Sequence, residues 1–214
     1  MKKLIVISAV LLFMMVTPGT AQQLMQENKQ KASILNDAVV TDVIFDLNFI
    51  NTPFYGQDVY GASFNFGVTL NDRLTTGIAM DFAGSSRIRM ETPINVVNPQ
   101  FNYVFFGVHN EFLINPKHIV NFSIPVQFGI ASLTYNDRYL QNEFHDATVL
   151  SDLYLAMNAG VNLYVNITRG MSLGAGARYR FVDSGGIFGS QAQLNGLQYS
   201  VNIRFSMASL FEEE

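Results

Sequence analysis

Residues 152–165, with the sequence DLYLAMNAGVNLYV, alternate between two kinds of side chain. Successive side chains on a β-strand point to opposite faces, so this stretch has one oily face and one polar face. The oily face carries no charge and consists of Leu153, Leu155, Met157, Ala159, Val161, Leu163 and Val165. The same alternation recurs about eight times after residue 40, which predicts an all-β protein made of amphipathic strands.

The composition narrows the class of protein. The chain has 214 residues, enough for one domain, and only 14 % of them are charged, against roughly 25 % in ordinary soluble domains. Aromatic residues make up 13 % and are all Phe or Tyr, which favour strands and membrane interfaces. The net charge of −4 argues against a nucleic-acid partner, and the lack of Cys excludes disulfides and thiolate metal sites.

The first residues predict an export signal. Lys2 and Lys3 form a positive segment, residues 4–16 are apolar, and residues 18–21 (PGTA) supply small residues before a cleavage site after Ala21. The competing interpretation is an N-terminal membrane anchor, but the apolar stretch is shorter than the ~20 residues that a spanning helix needs. The predicted organisation is a signal peptide at 1–21, a periplasmic tail at 22–38, a transmembrane barrel at 39–206 and an acidic periplasmic tail at 207–214.

Eight strands are predicted, near residues 40–50, 58–70, 74–82, 100–113, 120–130, 152–165, 172–181 and 196–205. Short turns are expected near residues 72, 116 and 168, and long loops near 90, 141 and 189. The first connection, about 51–57, is grouped with the long set. This alternation is typical of an outer-membrane barrel, with short periplasmic turns and longer extracellular loops. Two irregularities are expected: a β-bulge at Pro125, since proline removes a ladder donor, and an Asn110 side chain that faces lipid.

A soluble lipocalin-like barrel or β-sandwich is the alternative fold, because periodicity alone does not say which face points inward. Three features favour the membrane barrel. The apolar faces are long and uncharged, and the opposite faces are rich in small neutral residues such as Gly, Ser, Asn and Ala. The export signal and the aromatic last strand also fit. We therefore predict an eight-stranded antiparallel up-and-down transmembrane β-barrel, with lipid outside and polar side chains inside.

From residue 40 to residue 205 the chain resembles the small eight-stranded outer-membrane β-barrel (porin-like) families of Gram-negative bacteria. The last strand, residues 197–205 (LQYSVNIRF), resembles the aromatic-ended signal that the barrel assembly machinery reads. In the usual pattern the Phe is the final residue, whereas here residues 206–214 follow Phe205 and end in three Glu. The resemblance implies location and fold, with outer-membrane lipid, lipopolysaccharide and the assembly machinery as expected partners.

Charged residues on the inward faces are the candidate site, because ions confined in a narrow barrel must pair. This predicted lumen network comprises Asp42, Asp46, Asp81, His109, Glu111, Asp152, Arg178, Arg180 and Arg204. Two pairs are expected from the strand order: Arg204 with Asp42 across the closing seam, and Arg180 with Asp152. The pattern favours a lumen filled by salt bridges; the alternative is a narrow polar path for ions or small solutes.

The predicted function is therefore a structural or surface-binding role for a monomeric barrel whose long loops could bind a surface partner. A narrow porin-like channel is the first alternative. A lipid-modifying enzyme is the second, since His109, Glu111 and Ser123 could lie close together, although they would point away from a lipid substrate. No catalytic residues, cofactor or metal are predicted. Arg87 and Arg89 are candidate contacts for lipopolysaccharide phosphates, which Arg binds well.

Overall fold

A computed structural model describes residues 38–86, 99–137, 148–183 and 194–207 of the chain. These residues form the strands β1 (Val40–Phe54), β2 (Gln57–Leu70), β3 (Leu74–Ser85), β4 (Pro99–Ile114), β5 (Val120–Asp137), β6 (Thr148–Thr168), β7 (Met171–Val182) and β8 (Gly196–Ser206). Each strand pairs antiparallel with the next, and β8 pairs with β1, so the sheet closes into a barrel. The predicted fold class is confirmed.

The facing of the strands also follows the predicted alternation. On β6, Val161 is 58 % exposed while its neighbour Asn162 is 2 % exposed. Large apolar side chains are at least half exposed on several strands, among them Phe49, Phe66, Phe106, Phe122, Val161 and Val201. An apolar surface that encircles the whole barrel would be unfavourable in water. It suits hydrocarbon, so the belt faces lipid.

Aromatic side chains on the outer face span the seam where the barrel closes. The ring centroids of Phe205, Phe45, Phe64 and Phe82 follow one another at 6.3 Å across β8, β1, β2 and β3. Such pairs contribute about 0.5–1.5 kcal/mol beyond their burial in double-mutant measurements. The last strand is therefore joined to the first by side-chain packing as well as by its backbone ladder.

The first connection differs from the prediction. β1 continues to Phe54, and a two-residue turn of Tyr55 and Gly56 leads into β2. Both residues have positive φ, 52° and 70°, as in the tight hairpin turns that match strand twist. Pro53 does not end β1, because the β1–β8 ladder stops at Asn51. Proline is tolerated where its missing N–H faces no partner strand.

The bulge expected at Pro125 is not present. The β5–β6 pairs Ser123–Asn162 and Val126–Ala159 keep one register on either side of it. The missing donor therefore leaves a gap in the ladder without adding a residue. Asn110 faces outward as predicted, and its side-chain oxygen accepts a hydrogen bond from Thr76 on β3, with 3.0 Å between the two oxygens, which lowers the cost of facing lipid.

The two ends of the barrel differ in their connections. At the turn end, strands are joined through residues 71–73, 115–119 and 169–170; at the loop end, through Tyr55–Gly56 and residues 86–98, 138–147 and 183–195. Most residues of these three longer connections lie outside the described ranges, as do the predicted signal peptide and nearly all of both predicted tails. In the described part of the chain, no helix is long and apolar enough to cross a membrane.

Candidate functional site: the charged lumen

The structure places most of the predicted lumen charges in the barrel interior. Seven are buried: Asp46, Asp81, His109, Glu111, Arg178, Arg180 and Arg204. Asp42 and Asp152 are half-buried and lie closer to the strand ends. Their inward position follows from the alternation, whereas their partners depend on the offset between neighbouring strands.

Arg204 on β8 organises the turn-end half of the lumen. Its Nε and Nη2 donate to the two carboxylate oxygens of Asp46 on β1, at 2.7 and 2.8 Å. Nη2 also donates to Glu111 on β4 at 2.5 Å, and to the Tyr164 hydroxyl at 3.1 Å. The Tyr164 ring lies against the guanidinium, 4.1 Å from its carbon. Such bidentate, charge-assisted contacts are the geometry in which Arg binds carboxylates most strongly.

Neutral groups complete this Arg204 cluster. The Ser123 hydroxyl donates to Glu111, and the Asn162 amide donates to the same carboxylate at 3.3 Å. His109 Nε2 lies 3.6 Å from Glu111. Ions placed in a low-dielectric interior are stable only when their remaining lone pairs and protons are also satisfied. The cluster therefore links side chains of β1, β4, β5, β6 and β8 across the turn-end half of the lumen.

The expected pair of Arg204 and Asp42 is wrong. Closure of the barrel pairs Arg204 directly with Asp46, and Asp42 lies past this pair towards the turn end. Asp42 instead accepts hydrogen bonds from the Ser206 hydroxyl at 2.7 Å and the Met207 backbone N–H at 2.9 Å. It thereby fixes the end of β8 against β1.

The expected pair of Arg180 and Asp152 is also wrong. β7 ends at Val182, opposite Ala156, so Asp152 lies beyond the reach of that ladder and Arg180 is paired with Asn158. The Arg180 guanidinium donates instead to the Thr52 hydroxyl, to the Pro53 carbonyl at 2.7 Å and to the Leu194 carbonyl at 2.8 Å. It therefore joins β1 to the residues that precede β8.

Aromatic side chains surround Arg180 at the loop end. Its guanidinium carbon lies 3.7 Å from the centroid of the Phe54 ring and 5.3 Å from that of Tyr103. Cations bind favourably to aromatic faces, more so where water is excluded. The surrounding buried apolar cluster includes Ile50, Phe54, Val59, Phe101, Tyr103, Phe105, Leu133, Tyr135, Tyr154, Val182 and Leu194. A polar lumen was predicted throughout, yet this half has an apolar core; the aromatic residues on both faces of β4 were its signal in the sequence.

A chain of amides crosses the middle of the lumen. Asn158 donates to Asp81 at 3.3 Å and to Gln127 at 3.0 Å, and Gln127 in turn donates to Asn65 at 3.0 Å. The predicted lumen network contains only charged residues and does not include these amides. Asn65, Gln127 and Asn158 lie on the polar face of their strands, so the alternating pattern by itself places them in the lumen.

Two chemical alternatives can be tested against this geometry. Asp46, His109 and Glu111 present donor atoms within 4.8 Å of one another, a spacing that suits a metal ion. Arg204 already binds both carboxylates, so its guanidinium takes the position of the cation. For acyl-transfer chemistry, the Ser123 hydroxyl would have to donate to His109, but it donates directly to Glu111. The arrangement is that of a packed ionic cluster and lacks the serine–histidine contact.

The remaining candidates, Arg87 and Arg89, lie outside the described residues. Their contact with lipopolysaccharide stays a prediction.

Comparisons with known proteins concern the fold. No protein-family model matches the chain, and no curated protein matches its sequence. Among solved structures, Neisserial surface protein A (NspA) superposes with a TM-score of 0.53 at 14 % identity, covering 79 % of this chain and 99 % of that one. The Yersinia pestis attachment invasion locus protein Ail gives 0.48 at 10 % identity, with 78 % and 97 % covered. A major outer membrane protein of Thermus thermophilus gives 0.47 at 11 %, with 77 % and 99 % covered. The chain thus has the fold of the small eight-stranded outer-membrane β-barrels.

Proposed function

We propose that this protein is an outer-membrane barrel that acts as a rigid, non-conducting scaffold and presents the connections of its loop end at the cell surface. The fold and the lipid-facing belt support a membrane location, and the predicted export signal is consistent with passage across the inner membrane. The long connections then provide the binding surface, because functional residues of a scaffold concentrate on its loops.

One observation supports the proposal: side chains are joined across the lumen at two levels by different chemistry. In the turn-end half, Arg204 bonds to Asp46, Glu111 and Tyr164, and Ser123 bonds to Glu111. In the loop-end half, the Arg180 guanidinium lies against the ring of Phe54 within the buried apolar cluster. An eight-stranded barrel has an interior just wide enough for side chains to fill. Ion passage would require two independently bonded layers to open.

Single-channel recording in planar bilayers tests closure directly. Purified, folded protein is expected to give no steps above the membrane leak, while a sixteen-stranded porin in the same bilayer gives large ones. Stable openings with a reproducible conductance would contradict the proposal and favour the narrow channel.

Surface display is tested by epitope insertion in intact cells. A tag between residues 141 and 142, in the connection from β5 to β6, is expected to bind antibody without permeabilisation. A matched tag between Pro116 and Lys117, in a turn at the opposite end, is expected to bind only after the outer membrane is opened. The reverse result would show that the barrel is oriented the other way. If neither tag is detected in the outer-membrane fraction, the proposed location in this membrane is contradicted.

Lipopolysaccharide contact through Arg87 and Arg89 belongs to the same proposal. Replacing both with Gln is expected to lower the lipopolysaccharide that co-purifies with the barrel. An unchanged amount of lipopolysaccharide would mean that Arg87 and Arg89 do not contact it.

A further inference from the structure

The chain of amides in the middle of the lumen has a defined direction. Asp81 lies at its first end and, when ionised, can only accept hydrogen bonds. It accepts one from the Ser63 hydroxyl and one from the Asn158 amide nitrogen, which lies 3.3 Å away. Asn158 must therefore turn its nitrogen towards Asp81, because the carboxylate would repel its oxygen.

The direction passes from one amide to the next. The same nitrogen of Asn158 donates to the side-chain oxygen of Gln127 at 3.0 Å. Gln127 consequently turns its own nitrogen the other way, where it donates to the Asn65 oxygen at 3.0 Å. That nitrogen also lies 3.5 Å from Nδ1 of His109. The amide chain, defined here as Asn158, Gln127 and Asn65, thus presents an N–H to the histidine ring.

His109 responds to this direction through its two ring nitrogens. A ring nitrogen that faces an N–H must offer a lone pair, so Nδ1 carries no proton. The other nitrogen, Nε2, lies 3.6 Å from Glu111, to which Arg204 is also bound. The proton of the neutral ring is therefore on Nε2 and points at that carboxylate. The contacts lead in this way from Asp81 to the edge of the Arg204 cluster.

The amide chain has a second self-consistent direction. If Asp81 takes a proton, its hydroxyl can donate to the Asn158 oxygen, and the amide groups of Asn158 and Gln127 then rotate. The Gln127 oxygen would face Nδ1 of His109 and require an N–H there. In the described direction neither the Asn158 oxygen nor the Asn65 nitrogen has a partner in the part of the chain that the structure describes, and the rotation gives a partner to both. A mixed arrangement would place two N–H groups or two oxygens against each other.

The charges around the two ends do not produce this link by themselves. Charged or titratable side chains of β1, β3, β4 and β8 surround His109, namely Asp46, Asp81, Glu111 and Arg204. Those around Asp81 are Tyr103, His109, Arg178 and Arg180. A proton on Asp81 removes a negative charge within Coulombic range of His109, which favours loss of a proton from the ring. Charge alone therefore separates the two protonation steps, whereas the amide chain joins them.

We propose that the amide chain makes Asp81 and His109 titrate as one unit: Nδ1 of His109 is unprotonated while Asp81 is ionised, and it takes a proton in the same step as Asp81. Both protons come from solvent, and the amide groups only rotate. Protonation in the middle of the lumen is thereby passed on to Glu111 and the Arg204 cluster. The link does not depend on whether the barrel conducts, so the single-channel recordings and the test below can fail separately.

NMR spectroscopy of the folded full chain in lipid bilayers tests the link, with 15N-labelled histidine and 13C-labelled aspartate. The 15N shift separates an unprotonated ring nitrogen from an N–H, and the 13C shift of a carboxyl reports its protonation. Spectra are recorded after equilibration at each pH from about 8 to about 3, the range in which exposed His and Asp titrate. For the wild type, Asp81 and Nδ1 of His109 are expected to share one midpoint, with a transition steeper than that of a single proton. The exposed His118 is the internal reference and is expected to titrate as a single group.

Asn158→Leu removes the first amide of the chain and keeps a side chain of similar size. It is expected to separate the two midpoints and to return each transition to that of a single proton. Asn202→Leu is the matched control, since it makes the same change at a buried lumen residue outside the amide chain, and it is expected to keep the shared midpoint. Separate midpoints in the wild type, or a shared midpoint in Asn158→Leu, would overturn the proposal.

Gln127→Glu provides a second test if Asn158→Leu does not fold. It places a group that only accepts hydrogen bonds beside Nδ1 of His109, as the rotated amide would. Nδ1 is therefore expected to be protonated even at about pH 8, where the exposed His118 is neutral. An unprotonated Nδ1 in this variant would show that the amide chain does not set the protonation of His109.

Discussion

The outer face and the lumen of this barrel follow opposite rules. On the outer face, apolar side chains such as Val161 and Val201 are exposed. In the lumen, the large charged side chains of Arg178, Arg180 and Arg204 are buried. A soluble domain has the reverse arrangement. The comparison shows that burial here follows the parity of each position along its strand and the closure of the sheet, not the polarity of the side chain.

The same residue type is consequently stable in one region and costly in the other. Inside, a guanidinium finds carboxylates, carbonyls and aromatic faces fixed by the neighbouring strands. Outside, it would meet lipid chains with no acceptors. Adding, removing or reshaping a charged side chain therefore tests the difference between the outer face and the lumen.

Arg204→Gln tests the lumen and has the largest expected effect. It leaves Asp46 and Glu111 buried without their cation, which costs about 3–5 kcal/mol when one partner of a buried ion pair is removed. Urea unfolding in lipid vesicles measures the loss. The triple variant Arg204→Met, Asp46→Asn, Glu111→Gln is expected to recover part of it. A loss below about 1 kcal/mol would mean that water reaches these carboxylates.

Val161→Arg tests the outer face. In a bilayer this substitution is expected to cost about 2–4 kcal/mol, because Val161 lies on the belt away from the strand ends. Leu153→Arg is the control on the same face of β6, nearer the loop end, where the cost falls to about 0–1 kcal/mol. Equal costs at the two positions, measured in the same vesicles, would contradict a lipid-facing belt.

Arg180→Lys sharpens the account of the loop-end half. The variant keeps the charge, but an ammonium cannot reproduce the planar fork that joins Thr52, the Pro53 carbonyl and the Leu194 carbonyl. A loss of about 1–3 kcal/mol is expected on urea unfolding. Arg73→Lys, at an exposed turn residue, is expected to change nothing measurable. Matching results for the two variants would reduce the role of Arg180 to its charge.

The ion pair between Asp72 and Lys117 shows the same chemistry in water and has the smallest expected effect. Lys117 Nζ lies 2.7 Å from Asp72 at the turn end, and its hydrogen bond lowers the pKa of that carboxyl. The stabilisation is therefore present above the ordinary pKa of the carboxyl and is lost as the pH falls through the lowered pKa.

Lys117→Gln should shift the urea midpoint slightly at pH 7 and not at strongly acidic pH, and 1 M salt should remove the difference. A shift as large as that of Arg204→Gln would show that the rim is as dry as the lumen.

The sequence of this protein determines its strands and their facing. In residues 152–165, a period of two separates Leu153, Leu155 and Val161 from Tyr154, Asn158 and Asn162, and the structure exposes the first set and buries the second. Two differences from the predicted strands lie at prolines: Pro53 lies within β1, and Pro125 introduces no bulge, while β5 and β6 extend further towards the loop end than predicted. A proline removes a hydrogen bond whose importance depends on whether a partner strand is present.

Which lumen residues contact one another depends on the closed barrel. The sequence predicted that Asp46, Arg180 and Arg204 face inward, but it did not predict their partners. A strand's own sequence fixes which face each side chain occupies, yet it carries no record of how far the neighbouring strand is displaced along it. That displacement is set when all eight ladders close together, and it brings Arg204 to Asp46 and Glu111 and Arg180 to Thr52 and the Pro53 carbonyl.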